Sequence, residues 1–387
     1  VAALLGSALP AQAALPDFAL APWSLPVGSA ELRLNGEASG ALFAPHQPNW
    51  RGAQGSGALL LMPQLRRDYD SGLALALNGT FAAADPLSRG RYDGDAIERL
   101  SASARTGLGT LEIGITDGAG DVLAVGGPKV DPNVSLDDPR TSFYRDPATG
   151  RAVTNLFPLR TQVSVSSNYA KFVYTSPSLF GAELALSFTP SQGKQLPFLD
   201  AGPDVPGRQA AFWEAALRYE TEFENATITA HAALSESRGE RKLPGQQGTS
   251  DLGVGARIDY PLNEDLRVSL GGSWRQSNAY AFNLNQTWQP SVTRAQHVSA
   301  AITDRRWIAG VEYGNGVAKE VGIAGLPRLG LNGAQASVGY RLSPSLNVST
   351  GWQRLGYGRS SGSFFHGAPQ LKMDAVYLHL NLHSSEQ

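Results

Sequence analysis

The sequence predicts an all-β chain, folded as a 16-stranded antiparallel transmembrane β-barrel. Three observations predict it. Apolar and polar residues alternate with period two through most of the 387 residues. The connections between the alternating runs are short and long in turn, as in an up-and-down meander. No helical segment is left over to cover the apolar face.

The strands follow in order. The first, 29–43, sets Leu32, Leu34, Ala38 and Leu42 against Glu31, Arg33, Asn35 and Glu37. Run 56–66 is less regular, because Leu60 and Met62 break the alternation, and 71–82 restores it with Leu73, Leu75, Leu77 and Phe81. Runs 96–106 and 109–116 meet at Gly107-Leu108, and Leu111, Ile113 and Ile115 oppose Thr110, Glu112 and Gly114. Runs 168–176 and 181–189 flank Ser176–Phe180, with Leu184, Leu186 and Phe188 on one face. In 209–222, Trp213, Ala215, Leu217 and Tyr219 oppose Glu214, Ala216, Arg218 and Glu220. Runs 225–235, 250–260, 265–276, 294–303, 306–316, 332–342, 345–357 and 370–383 complete the sixteen. The last sets Val376, Leu378, Leu380 and Leu382 against Ala375, Tyr377, His379 and Asn381.

The two faces decide between a barrel and a sandwich. Opposite the apolar face stand Arg33, Arg99, Arg105, Lys171, Arg218, Arg257, Arg267 and Arg341, amid Gly, Ala and Ser. Small and charged residues suit the wall of a water-filled lumen, and lipid then covers the apolar face. Closure satisfies every backbone N–H and C=O without water, so a barrel can span a membrane. At sixteen strands the interior is too wide for side chains to fill. Tyr174, Trp213, Tyr219, Phe223, Tyr260, Trp274, Trp307, Tyr313, Tyr340 and Trp352 fall mostly near strand ends on the apolar face, as an interfacial girdle would.

Composition narrows the chemistry. Thirty-four acidic residues nearly cancel 32 basic ones, so no nucleic-acid partner is expected. With no cysteine, thiol catalysis, disulfides and Cys-based zinc sites are excluded. The six histidines (46, 231, 297, 366, 379 and 383) lack metal spacing, and Asp131, Asp137 and Asp138 lack the spacing of a calcium loop. No cofactor, nucleophile elbow or phosphate loop is expected. At the start, Val1–Leu9 followed by Ala11-Gln12-Ala13 reads as a residual signal peptide over 1–13. Residues 14–27 form an N-terminal segment, 28–383 the barrel, and 384–387 a tail.

Two stretches carry a family resemblance. One is NYAKFVYTSPSLFGAELALSFTP, Asn168–Pro190, a strand, Ser-Pro turn and strand after a long third loop. The other is RRDYDSGLALALNGTF, residues 66–81, a tight turn feeding a strand. Over about residues 28–383 the chain resembles a Gram-negative general porin of the sixteen-stranded trimeric family, alpha-proteobacterial type. The resemblance implies an outer-membrane homotrimer with short periplasmic turns and long extracellular loops. It implies passive diffusion of ions and small hydrophilic solutes, and assembly into outer-membrane lipid by the barrel-assembly machinery. The family's terminal aromatic residue is replaced here by His383–Gln387.

The resemblance further implies that the third loop, 117–167, folds inward as a constriction. Asp121, Asp137 and Asp138 would then face Arg33, Arg66, Arg99 and Arg105 across the pore. Opposed charges at that place set a transverse field and an ion preference. Two other classes remain open from sequence: an outer-membrane barrel hydrolase, and a secreted β-sandwich adhesin or lectin.

Overall fold

The computed structural model describes residues 19–46, 52–82, 97–137, 159–167, 169–191, 209–239, 248–278, 280–282, 288–320, 328–359 and 370–384. The segment expected to be signal peptide, most of the tail and Asp138 lie outside these residues.

Sixteen long strands form the staves of one closed antiparallel sheet. In chain order they include β2 (Ala30–His46), β3 (Gln54–Asp68), β4 (Ala74–Ala82), β5 (Ile97–Thr106), β6 (Gly109–Thr116), β7 (Tyr169–Thr175), β8 (Ala182–Ser191) and β9 (Gln209–Phe223). Next come β10 (Ala226–Gly239), β11 (Ser250–Pro261), β12 (Leu266–Ser277), β14 (Trp288–Asp304), β15 (Trp307–Glu320), β16 (Arg328–Ser343), β17 (Leu346–Arg359) and β18 (Gln370–His383). Two accessory pieces bring the total to eighteen: β1 (Trp23–Val27) and β13 (Tyr280–Phe282). Every predicted strand has its counterpart.

Closure is made by β18 against β2, from Asp374↔His46 to His383↔Glu37. Below that seam β1 continues the column of β18, pairing Trp23↔Leu34 through Val27↔Ala30. The Gly36 N–H donates to Ser384 Oγ at 3.0 Å, and the Ser384 N–H donates to Gly36 O at 2.9 Å. The N-terminal hairpin and the C-terminal strand thus close the same gap, leaving no free edge to solvate.

The alternation read from sequence matches the wall. Leu42, Leu77, Leu217, Leu270, Val298, Val311 and Val376 are exposed on the outside. Their chain neighbours point inward. Aromatic rings gather on the outer face: Trp307 packs on Tyr340 with centroids 4.4 Å apart, and Phe188 on Trp213 at 4.5 Å. The Tyr174 hydroxyl donates to the Leu108 carbonyl in the neighbouring turn at 2.7 Å. Such rings keep an apolar body in lipid and a polar edge toward water.

Three features lie beyond the sequence reading. The strands extend at the long-loop end, most of all β14, which begins at Trp288 where alternation predicted 294. Arg294, Arg354 and Asp374 face outward there, so the polar ends of the staves no longer show the apolar signature that marks a lipid-facing strand. The short strands β1 and β13 were not anticipated. Nor was α1 (Ala119–Val122), a single turn at the start of the third loop.

Candidate functional site: the loop inside the barrel

The third loop enters the lumen and packs along its wall. Its neck is held by Lys171, whose side chain is 2% exposed. The Lys171 ammonium donates to the Thr116 carbonyl at 2.6 Å and to the Ser166 carbonyl at 2.5 Å. One group thus ties the residue entering the loop to one leaving it. Beside it the Ala119 N–H donates to Ser187 Oγ at 3.1 Å, and Ser187 donates to Glu214 at 3.0 Å. Ala119, Leu123 and Val163 pack on Ala185, Ala216 and Ala233, inward-facing residues small enough to admit them.

Removing the Lys171 ammonium leaves two buried carbonyls without a donor, each costing about 1–3 kcal/mol. Lys171→Met should therefore give a barrel that still assembles but whose open current flickers. A steady wild-type current in that variant would show that the neck is held by other contacts.

Farther along, the loop uses three further anchors. The Val125 N–H donates to His231 Nδ1 at 3.1 Å. Asp131 Oδ2 lies 2.7 Å from His379 Nδ1 and accepts a bond from the Ser349 hydroxyl. Glu312 Oε2 accepts from Ser135 Oγ at 2.7 Å and from the Leu136 N–H at 3.1 Å, and lies 3.1 Å from His297 Nε2. Val134, Leu136 and Leu159 then bury against Phe43, Leu331, Leu355, Met373 and Tyr377, an apolar core inside the lumen.

Glycines make the seat. A Cβ on Gly255 of β11 would overlap the Val125 carbonyl oxygen. On Gly271 of β12 it would stand 3.0 Å from Gly127 Cα, on Gly310 of β15 2.8 Å from Val130, and on Gly333 of β16 3.0 Å from Leu136. All four face inward. The sequence reading took such glycines for the lining of open water; they are dents that receive the loop. The inward positions Phe43, Leu331, Leu355 and Met373 were the other available signal, since large apolar residues do not line open water.

Among the described residues, the loop so seated packs along the inner wall from β7 round to β2 and meets the β3–β6 side at Arg99. Of the four candidate arginines, Arg99 is the one that meets a described loop residue. Its guanidinium lies 3.8 Å from Asp117, 3.4 Å from Glu112, and donates to Thr116 Oγ1 at 2.7 Å. Arg33 pairs with Glu31 at 3.0 Å and Arg66 with Asp68 at 2.8 Å, both near the short-turn end. Arg105 precedes the Gly107-Leu108 turn and faces inward.

The candidate acids also have other work. Asp137 is 2% exposed; it pairs with Lys129 at 3.2 Å and accepts from the Thr161 hydroxyl, facing the wall and not the Arg33–Arg105 side. Burial would raise its carboxyl, but the Lys129 charge, His297 and Thr161 outweigh it and hold it below the ordinary value. Asp131 is likewise held low, with burial overcome by the hydrogen bond and charge of His379 and by Ser349. Asp121 sits at the neck and accepts from the Ser167 hydroxyl. Burial, helped by Asp117 and Glu214 and opposed by Arg160 and Ser167, pushes it up to about 6. Apart from Lys129, which precedes Asp137 by 8 residues, these contacts were invisible in sequence because their partners lie 24 to 248 residues away along the chain.

The raised Asp121 has a testable sign. The folded chain holds this proton more tightly than the unfolded chain, whose carboxyl titrates near 3.8. Loop attachment should strengthen as pH falls through about 6 and be fully strengthened below 3.8. Hydrogen-exchange protection over 119–125 should rise from pH 7.5 to pH 5, and Asp121→Asn should abolish that dependence. Protection that is flat in the native protein would sink the assignment.

A closed barrel with an apolar belt, a polar lumen and a loop seated within defines a transmembrane channel. The family model for Gram-negative porins matches residues 1–362, and the chain belongs to that family and to the outer membrane. Among solved structures, OmpF of Salmonella typhi, in complex with daunomycin, is similar at TM-score 0.58 with 14% identity, covering 93% of this chain and 100% of that one. The outer membrane channel DcaP of Acinetobacter baumannii is similar at 0.57 with 10% identity, covering 94% and 100%. An anion-selective porin of Comamonas acidovorans is similar at 0.51 with 11% identity, covering 92% and 99%. At such identities the likeness concerns the fold. A search of curated proteins finds no match to the sequence.

Proposed function

We propose that the chain forms a trimeric diffusion channel for ions and small hydrophilic solutes, narrowed where the loop neck faces β5 and β6. The observation that carries this reading is the loop seat: a long connection that buries its own apolar residues inside the lumen acts on whatever passes. Solute then runs between the described part of the loop and the β3–β6 wall, past Arg99, Glu112 and Asp117. At about 4 Å and an effective dielectric near 20, one such pair interacts by about 4 kcal/mol. A charge change there outweighs thermal energy. Reversal potentials in planar bilayers under a salt gradient test the reading. Arg99→Ser should shift selectivity toward cations and Asp117→Asn toward anions; unmoved potentials in both would remove this cluster from the pore.

Strand length supports the trimer. Stave β6 has 8 residues and β7 has 7, against 17 in β14. Eight residues rise about 26 Å and, tilted by about 40°, span about 20 Å, less than the apolar band of about 25 Å. Leu111, Ile113 and Phe172 are nevertheless exposed on that low wall. Neighbouring barrels supply the cover that lipid reaches poorly there. Light scattering in mild detergent should give three chains, and Ile113→Arg should give one; a native monomer overturns the assembly.

A further inference from the structure

We propose that the short-turn mouth of the lumen holds a site for a small free oxyanion of the phosphate type, between the Arg305-Arg306 turn and Arg341. The proposal deepens the channel reading and rests on it for how the ligand arrives. A cavity of about 210 Å³ lies beside Val130–Pro132 of the loop, lined by Arg305, Arg306, Arg341, Asn347, His379 and Asn381.

The cations are held together by the backbone. The Arg341 N–H donates to the Arg306 carbonyl at 2.8 Å, so the two stems leave neighbouring points of the wall. Arg305 is engaged by Asp265. For Arg306 and Arg341, no carboxylate among the described residues lies within ion-pair distance of 4.0 Å. The one carboxylate lining the cavity, Asp131, is already taken by His379 and Ser349. Two cationic side chains that leave neighbouring points of the wall make a favourable place for an anion between them.

The donor set selects the anion. Each guanidinium presents a planar fork that meets two oxygens of one oxyanion, which a spherical halide does not offer. Asn381 Oδ1 is buried with no hydrogen-bond partner. An amide with an idle oxygen is free to turn and present its NH2 to a ligand. Arg341, Asn347, His379 and Asn381 share the inward face of their strands, away from the lipid-facing wall. The ligand is therefore a solute in transit.

Calorimetric titration of inorganic phosphate into the full chain, in lipid-free detergent at low salt, reads the site directly. One saturable event per chain is expected. Arg306→Gln and Arg341→Gln should each weaken it by about tenfold or more, since each removes a charge-assisted fork. Arg67→Gln, which removes a cation stacked on Tyr69 at 4.5 Å, should not. In planar bilayers, phosphate added from the short-turn side should block chloride current at lower concentration than from the long-loop side. A Cys placed at Ser29 marks that side, since the chain has no other thiol. Absence of saturable heat, equal binding by both Gln variants, or equal block from the two sides overturns the proposal. Saturable binding by a protein that opens no channel would overturn the channel reading and leave the site standing.

Discussion

Gly255→Val should open the pore. The added side chain cannot share space with the Val125 carbonyl and also meets His231 Cε1 at 2.7 Å. The strand itself accepts valine: Gly255 pairs in register with His231 and Ser273, and β-branched residues fit an extended backbone. The loop must therefore give way. Overpacking of this kind costs about 1–3 kcal/mol, enough to move the ratio of seated to lifted loop by about 5- to 150-fold. Single-channel conductance should rise, and protease should cut within 117–137 of the folded barrel. Ala256→Val, one residue on and facing lipid, should do neither. A Gly255→Val channel with native conductance and a protected loop would mean the loop does not rest on β11.

Leu270→Arg should be the most damaging single change on the wall. Leu270 lies near the middle of β12, 57% exposed on the outside, between Ile258 and Ala300 of its neighbours. Near the bilayer midplane an arginine there costs about 2–4 kcal/mol. The same charge at Thr229, which lines the lumen cavity beside Arg218 and Glu220, meets water. Denaturant unfolding from lipid vesicles should separate the two variants by that amount, with Thr229→Arg altering conductance instead. Equal destabilisation would mean that the two faces share one solvent.

The sixteen staves were legible because each is decided locally. Period-two alternation needs only a strand between lipid and water, so Leu270 beside Ser269 already says which side chain faces which solvent. Short turns such as Gly107-Leu108 fixed the meander for the same reason. The candidate site was legible in part. That the long third loop folds into the barrel was implied by the family resemblance; what its acids touch could not be read. Asp137 was expected across the pore from the arginines, and its carboxylate instead meets Lys129 and Thr161 at the wall.

By itself, then, the sequence determined which residues face lipid and which face the lumen, how many staves the barrel has, and that the third connection is long. Only the tertiary structure decided where that connection lies. Its anchors are single groups far apart in the chain, Asp131 with His379, Ser135 with Glu312, Lys171 with both ends of the neck. Its seat is a set of inward glycines on separate strands that become one surface once the sheet closes. Solvent exposure repeats along a strand and so leaves a period in the sequence. A contact between a loop and a closed wall has no period, because the distance that matters exists only after the barrel has formed.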